Sequence, residues 1–183
     1  MTVLDLSSFA GLGAMVLLTC NVLLGVLVSR NYNTARRWPH RKIPLFRIHN
    51  WTAYVALVLI LLHPALLLFN ATPAFRLGDL LYPVHSPGQS LYNTLGAVTW
   101  YAFVVVVVTS YFRPRMGSRL WKKIHFTTYF AAAMMFVHGT LIDPDLKGRP
   151  PDLIDGEKVL VEGCFLAVAA ASVWRVRQKK KLL

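Results

Sequence analysis

Five long runs of apolar residues constrain the fold of this 183-residue chain more than any other feature. They cover about residues 8–29, 50–69, 92–112, 124–142 and 159–174, and none contains lysine or arginine. A helix of roughly 20 apolar residues crosses a bilayer, where the chain itself must satisfy every backbone polar group. The sequence therefore predicts an all-α membrane protein, a five-helix transmembrane bundle formed by a single domain over residues 1–183. The first run is too long for a signal peptide and has no basic segment before it, so we expect a retained helix.

The charged residues are divided between the two sides of the predicted bundle. Six basic residues lie between the first two runs, five between the third and fourth, and five after the fifth, which puts sixteen of the 20 on one side. The other side has Arg76, Lys147, Arg149, Lys158 and all eight acidic residues. The positive-inside rule then places the N-terminus outside and the C-terminus inside. Because topology and anionic lipid account for the net charge of +12, we expect the bilayer and not nucleic acid as the partner.

Four of the six histidines lie at the second and fourth runs, His49 with His63 and His125 with His138. The spacings are fourteen and thirteen residues, or about 20 Å along a helix. Since both helices are predicted to run from inside to outside, His49 and His125 share an inner depth and His63 and His138 share an outer depth. Thirteen residues place two rings on different faces of a straight helix. The fourth run therefore needs a local distortion, or the two sites are displaced sideways.

Two facing imidazoles in an apolar bundle suit a haem, whose iron takes one nitrogen from each side. No Cys-x-x-Cys-His motif is present, so the prediction is two haem b groups held without covalent attachment. Other interpretations of the histidines stay open. Membrane histidines also form hydrogen bonds between helices. They also serve in metal transport, usually with carboxylates or cysteines, which the second to fourth runs lack.

At these residues the chain resembles the ferric reductase-like transmembrane domain. That superfamily includes the NADPH oxidases, the plasma-membrane metalloreductases and the bacterial membrane subunit of methionine sulfoxide reduction. The resemblance covers roughly residues 10–178 and rests on the spacing of the histidines and on Arg113-Pro114-Arg115, Trp121-Lys122-Lys123-Ile124-His125, Tyr129 and His138-Gly139. It implies that His49 and His125 are the axial ligands of an inner haem iron, and that His63 and His138 are those of an outer one. It also implies electron transfer from cytosolic NAD(P)H through flavin to an outer acceptor.

The chain differs from larger members of that superfamily, many of which have six spans and attached flavin and nicotinamide domains. About nine residues follow the fifth run, and no Gly-x-Gly-x-x-Gly motif occurs. We therefore expect the donor to be a separate flavoprotein or NAD(P)H reductase, free reduced flavin, or quinol. The prediction is a di-haem b-type cytochrome, the electron-transfer component of an oxidoreductase in a bacterial inner membrane. Its outer acceptor would be ferric iron or a periplasmic redox partner.

Basic side chains near the histidines are candidates for binding haem propionates. Arg47, Lys122 and Lys123 lie beside the inner histidines, whereas Arg76 and His85 lie in the first outer loop. Interfacial side chains explain the inner positions equally well, and solvated loop side chains explain the outer positions slightly better. Two further functions stay open: a quinol-oxidising or anchor subunit of a larger respiratory complex, and a haem or metal transporter or haem sensor.

Overall fold

The computed structural model describes residues 1–29 and 44–180. Over these ranges it is helical and has no strand, which confirms the predicted all-α class. The helices are α1 (Val3–Ser29), α2 (Leu45–Leu66), α3 (Leu77–Leu81), α4 (Ser90–Tyr111), α5 (Ser118–His125), α6 (Thr127–Leu141) and α7 (Gly156–Lys180). Short 3-10 turns lie at Leu67–Phe69, Pro83–His85 and Arg113–Arg115.

Within the described ranges, four helices are long and apolar enough to cross a bilayer. They are α1, α2 with its 3-10 extension, α4, and α7 over Gly156–Arg177, with mean hydropathies between 1.7 and 2.3. In α2 only Ala56 and Ile60 are buried by the protein, so most of its apolar surface needs lipid or a bound apolar group. The chain is an integral, multi-pass membrane protein.

The fourth predicted span, residues 124–142, differs from the prediction of one continuous helix. Helix α5 ends at His125, Phe126 lies in a turn, and α6 begins at Thr127. The 15 residues of α6 extend about 22 Å, which is less than a bilayer core of about 30 Å. The count of five membrane-spanning helices therefore stays a prediction. Helices α5 and α6 together cover most of the residues of the predicted fourth span. The break at Phe126 supplies a distortion between His125 and His138 of the kind that their spacing requires.

The helices pack as two antiparallel pairs, because α2 runs along α1 and α6 runs along α4. Helix α7 closes the bundle against α1 and α6. The central core includes Met15, Leu18, Phe103, Phe136 and Val161. Over their described lengths, α2 and α6 are not in close backbone packing. The histidines meet between α2 and the α5–α6 segment.

The two ends of the bundle differ in charge. The basic end has Arg47, Arg113, Arg115, Arg119, Lys122, Lys123, Arg175 and Arg177, and the acidic end has Arg76, Lys147, Arg149, Lys158 and the acidic residues. The predicted inner residues Arg30, Arg36, Arg37, His40, Arg41, Lys42 and Lys181 lie outside the described residues. The direction of the bundle, with the N-terminus outside, stays a prediction from the positive-inside rule.

Candidate functional site

The structure brings the four span histidines together as two pairs, one toward each end of the bundle. At the basic end the ring centroids of His49 and His125 are 6.2 Å apart, with an interplanar angle of 70°. At the acidic end the centroids of His63 and His138 are also 6.2 Å apart, with an angle of 72°. We call these the inner pair and the outer pair. Each takes one ring from α2 and one from the α5–α6 segment.

Three of the four rings direct their Nδ1 atoms to backbone carbonyls of a neighbouring helix. The distances are 3.0 Å from His49 to Asn21, 2.7 Å from His63 to Ser7, and 2.8 Å from His138 to Tyr92. Since a carbonyl can only accept, these rings hold their hydrogen on Nδ1 and keep a lone pair on Nε2. No Nε2 atom of the four rings has a hydrogen-bond partner among the described residues.

The fourth ring, His125, is held differently. Its Nδ1 lies 3.4 Å from the Ser110 hydroxyl, which is a longer contact than the other three. The indole of Trp121 stacks on the ring, with centroids 4.9 Å apart and an interplanar angle of 25°, and donates to the same hydroxyl at 3.3 Å. The guanidinium of Arg113 lies 4.3 Å from the Trp121 ring centroid. Stacking therefore replaces the carbonyl contact at the one histidine that lies next to the helix break.

Glycines on α1 and α4 make room for the same three carbonyl-bound rings. A Cβ atom would lie 3.0 Å from His63 Nδ1 at Gly11, 3.2 Å from His49 Cε1 at Gly25, and 2.9 Å from His138 Cε1 at Gly96. Such distances are shorter than ordinary van der Waals contact. These helices approach the imidazoles closely because the glycines have no side chain.

Helix α1 contacts both histidines of α2 in the same way. The Ser7 hydroxyl donates to the His63 carbonyl at 2.8 Å, and the Asn21 amide donates to the His49 carbonyl at 2.5 Å. Both polar side chains are buried. Our sequence analysis missed these residues, although one signal was present. Ser7 and Asn21 are fourteen residues apart, as are the two α2 histidines, and as are Gly11 and Gly25 of α1.

A cavity of about 180 Å³ lies beside the outer pair. Its lining includes His63, His138, Gly96, Trp100 and Lys158, and Lys158 is the one lysine or arginine among the described lining residues. The cavity is also lined by the loop that follows α6. That loop is joined to Gln89, at the start of α4, by two hydrogen bonds between the Gln89 amide and the Asp143 backbone, at 2.9 and 3.1 Å.

The basic residues predicted to bind propionates are exposed. Arg47, Lys122 and Lys123 lie at the basic end, within three residues of an inner-pair histidine. Arg76 is exposed before α3, and neither Arg76 nor His85 lines the outer cavity. The structure brings Lys158 to that cavity, a residue that sequence analysis placed on the outer side without a role.

Each histidine pair fits a metal held by two opposed imidazoles. Metal–imidazole bonds of about 2 Å place two such ring centroids about 6 Å apart, close to the observed value. Two protein nitrogens per site, among the described residues, are fewer than a tetrahedral ion needs. Haem iron, by contrast, needs only two axial ligands beyond its own macrocycle. The residues present therefore fit a haem at each pair.

Three of the four span histidines lie within the part of the chain that matches a known protein family. A family model described as the ferric reductase like transmembrane component matches residues 10–136. That range contains His49, His63 and His125, and His138 lies two residues beyond its end. No curated protein and no solved structure matches the chain. Because the match covers more than half of the 183 residues, the chain belongs to the family of ferric reductase-like transmembrane components.

Proposed function

We propose that the chain is a di-haem b-type cytochrome that carries electrons across the membrane, from a donor at the basic end to an acceptor at the acidic end. The observation that carries this proposal is the pair of equal 6.2 Å separations, one toward each end of the bundle. Membership of the ferric reductase-like family supports a membrane redox role. When bound, haem would supply a one-electron carrier at each pair.

The protein's part in this function is to orient the imidazoles and to set their protonation. Carbonyls of α1 and α4 accept the Nδ1 hydrogens of His49, His63 and His138. This arrangement leaves Nε2 free as a ligand and makes the ring more basic. Because two protein nitrogens would hold each haem iron, the sites suit electron transfer rather than oxygen binding.

The separation of the two pairs suits a path across the bilayer. His49 and His63 are fourteen residues apart on one helix, or about 21 Å. That distance is most of a bilayer core of about 30 Å. Two carriers at these depths would divide the crossing into shorter electron-transfer steps.

The exposed cations at the basic end support a donor on the cytoplasmic side. Arg47, Lys122 and Lys123 are available to inner haem propionates, to anionic lipid, or to the acidic surface of a partner. We propose a separate flavoprotein or NAD(P)H reductase, reduced flavin, or quinol as the donor. The proposed acceptor is ferric iron or a periplasmic redox protein, and the proposed location is a bacterial inner membrane.

Haem content tests the paired ligands. Haem per chain would be measured in purified protein, with dithionite-reduced minus oxidised spectra, for the wild type, His63→Ala and His85→Ala. His85 is the matched control, because it is an exposed outer-loop histidine that belongs to neither pair. We expect two b-type haems in the wild type and in His85→Ala, and one in His63→Ala. Fewer than two in the wild type, or two in His63→Ala, would overturn the assignment.

Transfer across the bilayer needs its own test. Vesicles containing the protein would hold ferricyanide inside and receive dithionite outside. Reduction of the trapped ferricyanide would be followed by the loss of its absorbance. The wild type should reduce the trapped ferricyanide, and His63→Ala should lose most of this rate. A wild type that binds two haems without transferring electrons would refute the conduit and favour a haem sensor.

A further inference from the structure

Lys158 lies near the start of α7 and is only 5% exposed. A buried ammonium in a membrane protein is costly unless other groups compensate its charge. No described carboxylate forms an ion pair with it. Its Nζ donates instead to two backbone carbonyls, that of Gly139 at 2.9 Å and that of Ile142 at 2.6 Å.

Both carbonyls lie at the C-terminal end of α6. A cation at a helix C-terminus is favourable, so capping α6 is one role of Lys158. The position also has a second consequence, because Gly139 directly follows His138 and both His138 and Lys158 line the outer cavity. An ammonium has three N–H donors, and the two carbonyls use two of them.

None of the described carboxylates that line this cavity forms an ion pair with Lys158, and each has another hydrogen-bond partner. Asp79 accepts from the Arg76 backbone at 2.8 Å, Asp143 pairs with Arg149 at 3.2 Å, and Glu157 accepts from Ser8 at 3.2 Å. Lys158 therefore has no direct counter-ion among the described residues, although the charges of Asp143, Asp155 and Glu157 act on it through space. Removing its positive charge makes the electrostatic potential at the outer histidine pair more negative.

We infer that Lys158 is a positioning residue of the outer site, where its charge raises the reduction potential of a haem bound by His63 and His138. This inference rests on the proposed function. Reduction adds one negative charge to the site, so a nearby cation favours the reduced form. Neighbouring helix axes lie about 8–10 Å apart, and at that distance a unit charge shifts a one-electron equilibrium by about twentyfold if the effective dielectric constant is about 20.

The test separates the charge from the helix cap. Lys158→Gln keeps N–H donors for the two carbonyls and removes the charge, whereas Lys158→Arg keeps the charge. Lys147→Gln is the matched control, because the Lys147 side chain is 68% exposed. Redox titration of the purified full-length protein would follow both haems, and the outer one would be identified by its loss in His63→Ala.

We expect Lys158→Gln to lower the outer reduction equilibrium constant about twentyfold, which is about 77 mV for one electron at about 59 mV per tenfold change. The inner potential should not change, and Lys158→Arg and Lys147→Gln should stay close to the wild type. If Lys158→Gln does not retain the outer haem, the result for Lys158→Arg decides between the charge of Lys158 and its cap of α6. A retained haem with the wild-type potential supports the role of the charge, whereas loss in both variants assigns Lys158 to capping alone and overturns the inference.

The remaining outcomes distinguish this inference from the proposed function. Two haems in Lys158→Gln with an unchanged outer potential would overturn the role of Lys158 and leave the di-haem function standing. A wild type without two haems would overturn both.

Discussion

Gly96 on α4 leads to a specific prediction, because its missing side chain makes room for the His138 ring. A Cβ atom at this position would lie 2.9 Å from Cε1, 3.1 Å from Nδ1 and 3.2 Å from Nε2 of that ring. In Gly96→Ala the ring must therefore move away from α4 by a few tenths of an ångström. The same ring is tied to α4 by its 2.8 Å contact with the Tyr92 carbonyl, so this movement strains the ligand orientation.

Two opposing energies decide the size of the effect. Alanine favours a helix over glycine by about 0.8–1.0 kcal/mol, whereas overpacking a well-packed site costs about 1–3 kcal/mol. The stability of the fold should consequently change little. The steric cost falls on the outer site, where about 1–3 kcal/mol corresponds to a roughly 5–150-fold loss of haem affinity.

The assay is haem titration into the haem-depleted protein, with melting temperature as the measure of folding. Gly25→Ala is the counterpart at the inner pair, since its Cβ would lie 3.2 Å from His49 Cε1. Gly163→Ala on α7 is the control, because a Cβ there meets nothing within 4 Å. We expect Gly96→Ala to weaken only the outer site, Gly25→Ala only the inner site, and Gly163→Ala neither.

Two results would refute this reasoning. One is a Gly96→Ala protein whose outer haem keeps its affinity and its spectrum. The other is an equal loss in Gly163→Ala, which would mean that added methyl groups weaken haem binding without any contact to a histidine.

Two further predictions concern polar groups that hold the ends of the bundle. Asn21→Leu removes the amide that donates to the His49 carbonyl at 2.5 Å and to Thr52 at 2.8 Å. The Thr52 hydroxyl still donates to the His49 carbonyl at 3.1 Å, so the variant loses two hydrogen bonds of about 0.5–1.5 kcal/mol each. The melting temperature and the inner haem content should fall while the outer haem stays, and loss of the outer haem alone would contradict this assignment. In the loop after α6, burial raises the pKa of Asp143, but hydrogen bonds and the charge of Arg149 outweigh it and hold this pKa below the ordinary 3.8. The carboxylate therefore stabilises the folded protein fully above about pH 4 and loses this effect as pH falls through its lowered pKa. Thermal melts between pH 7 and pH 3 should show this loss of stability in the wild type but not in Asp143→Asn. Identical pH profiles of the two proteins would refute the prediction.

Much of the site could be predicted from spacing alone. Residue number along an apolar helix measures depth in the bilayer, so spacings of fourteen and thirteen predicted which histidines share a depth. The structure places His49 beside His125 and His63 beside His138 accordingly. The need for a distortion between His125 and His138 could also be anticipated, but its place could not, because nothing in the local sequence marks Phe126 as a break.

The partners of the histidines could not be predicted in the same way. Every residue has a backbone carbonyl, so the sequence does not distinguish those of Ser7, Asn21 and Tyr92 as the ones that meet imidazoles. Their selection depends on how α1 and α4 are rotated about their axes and on which helices they adjoin. Lateral packing determines both.

Lys158 shows the same division between sequence and tertiary structure. Its position at the outer end of an apolar run predicted a cation near the membrane surface, where lysines normally extend toward water. Its burial against the end of α6 was decided by the packing of α7 on that helix. The sequence by itself determined the helical class and the depth of the charged and ligating residues, because hydrophobicity and helical rise act along one dimension. Only the tertiary structure decided which side chains face each other at a given depth, because that depends on contacts between segments distant in the chain.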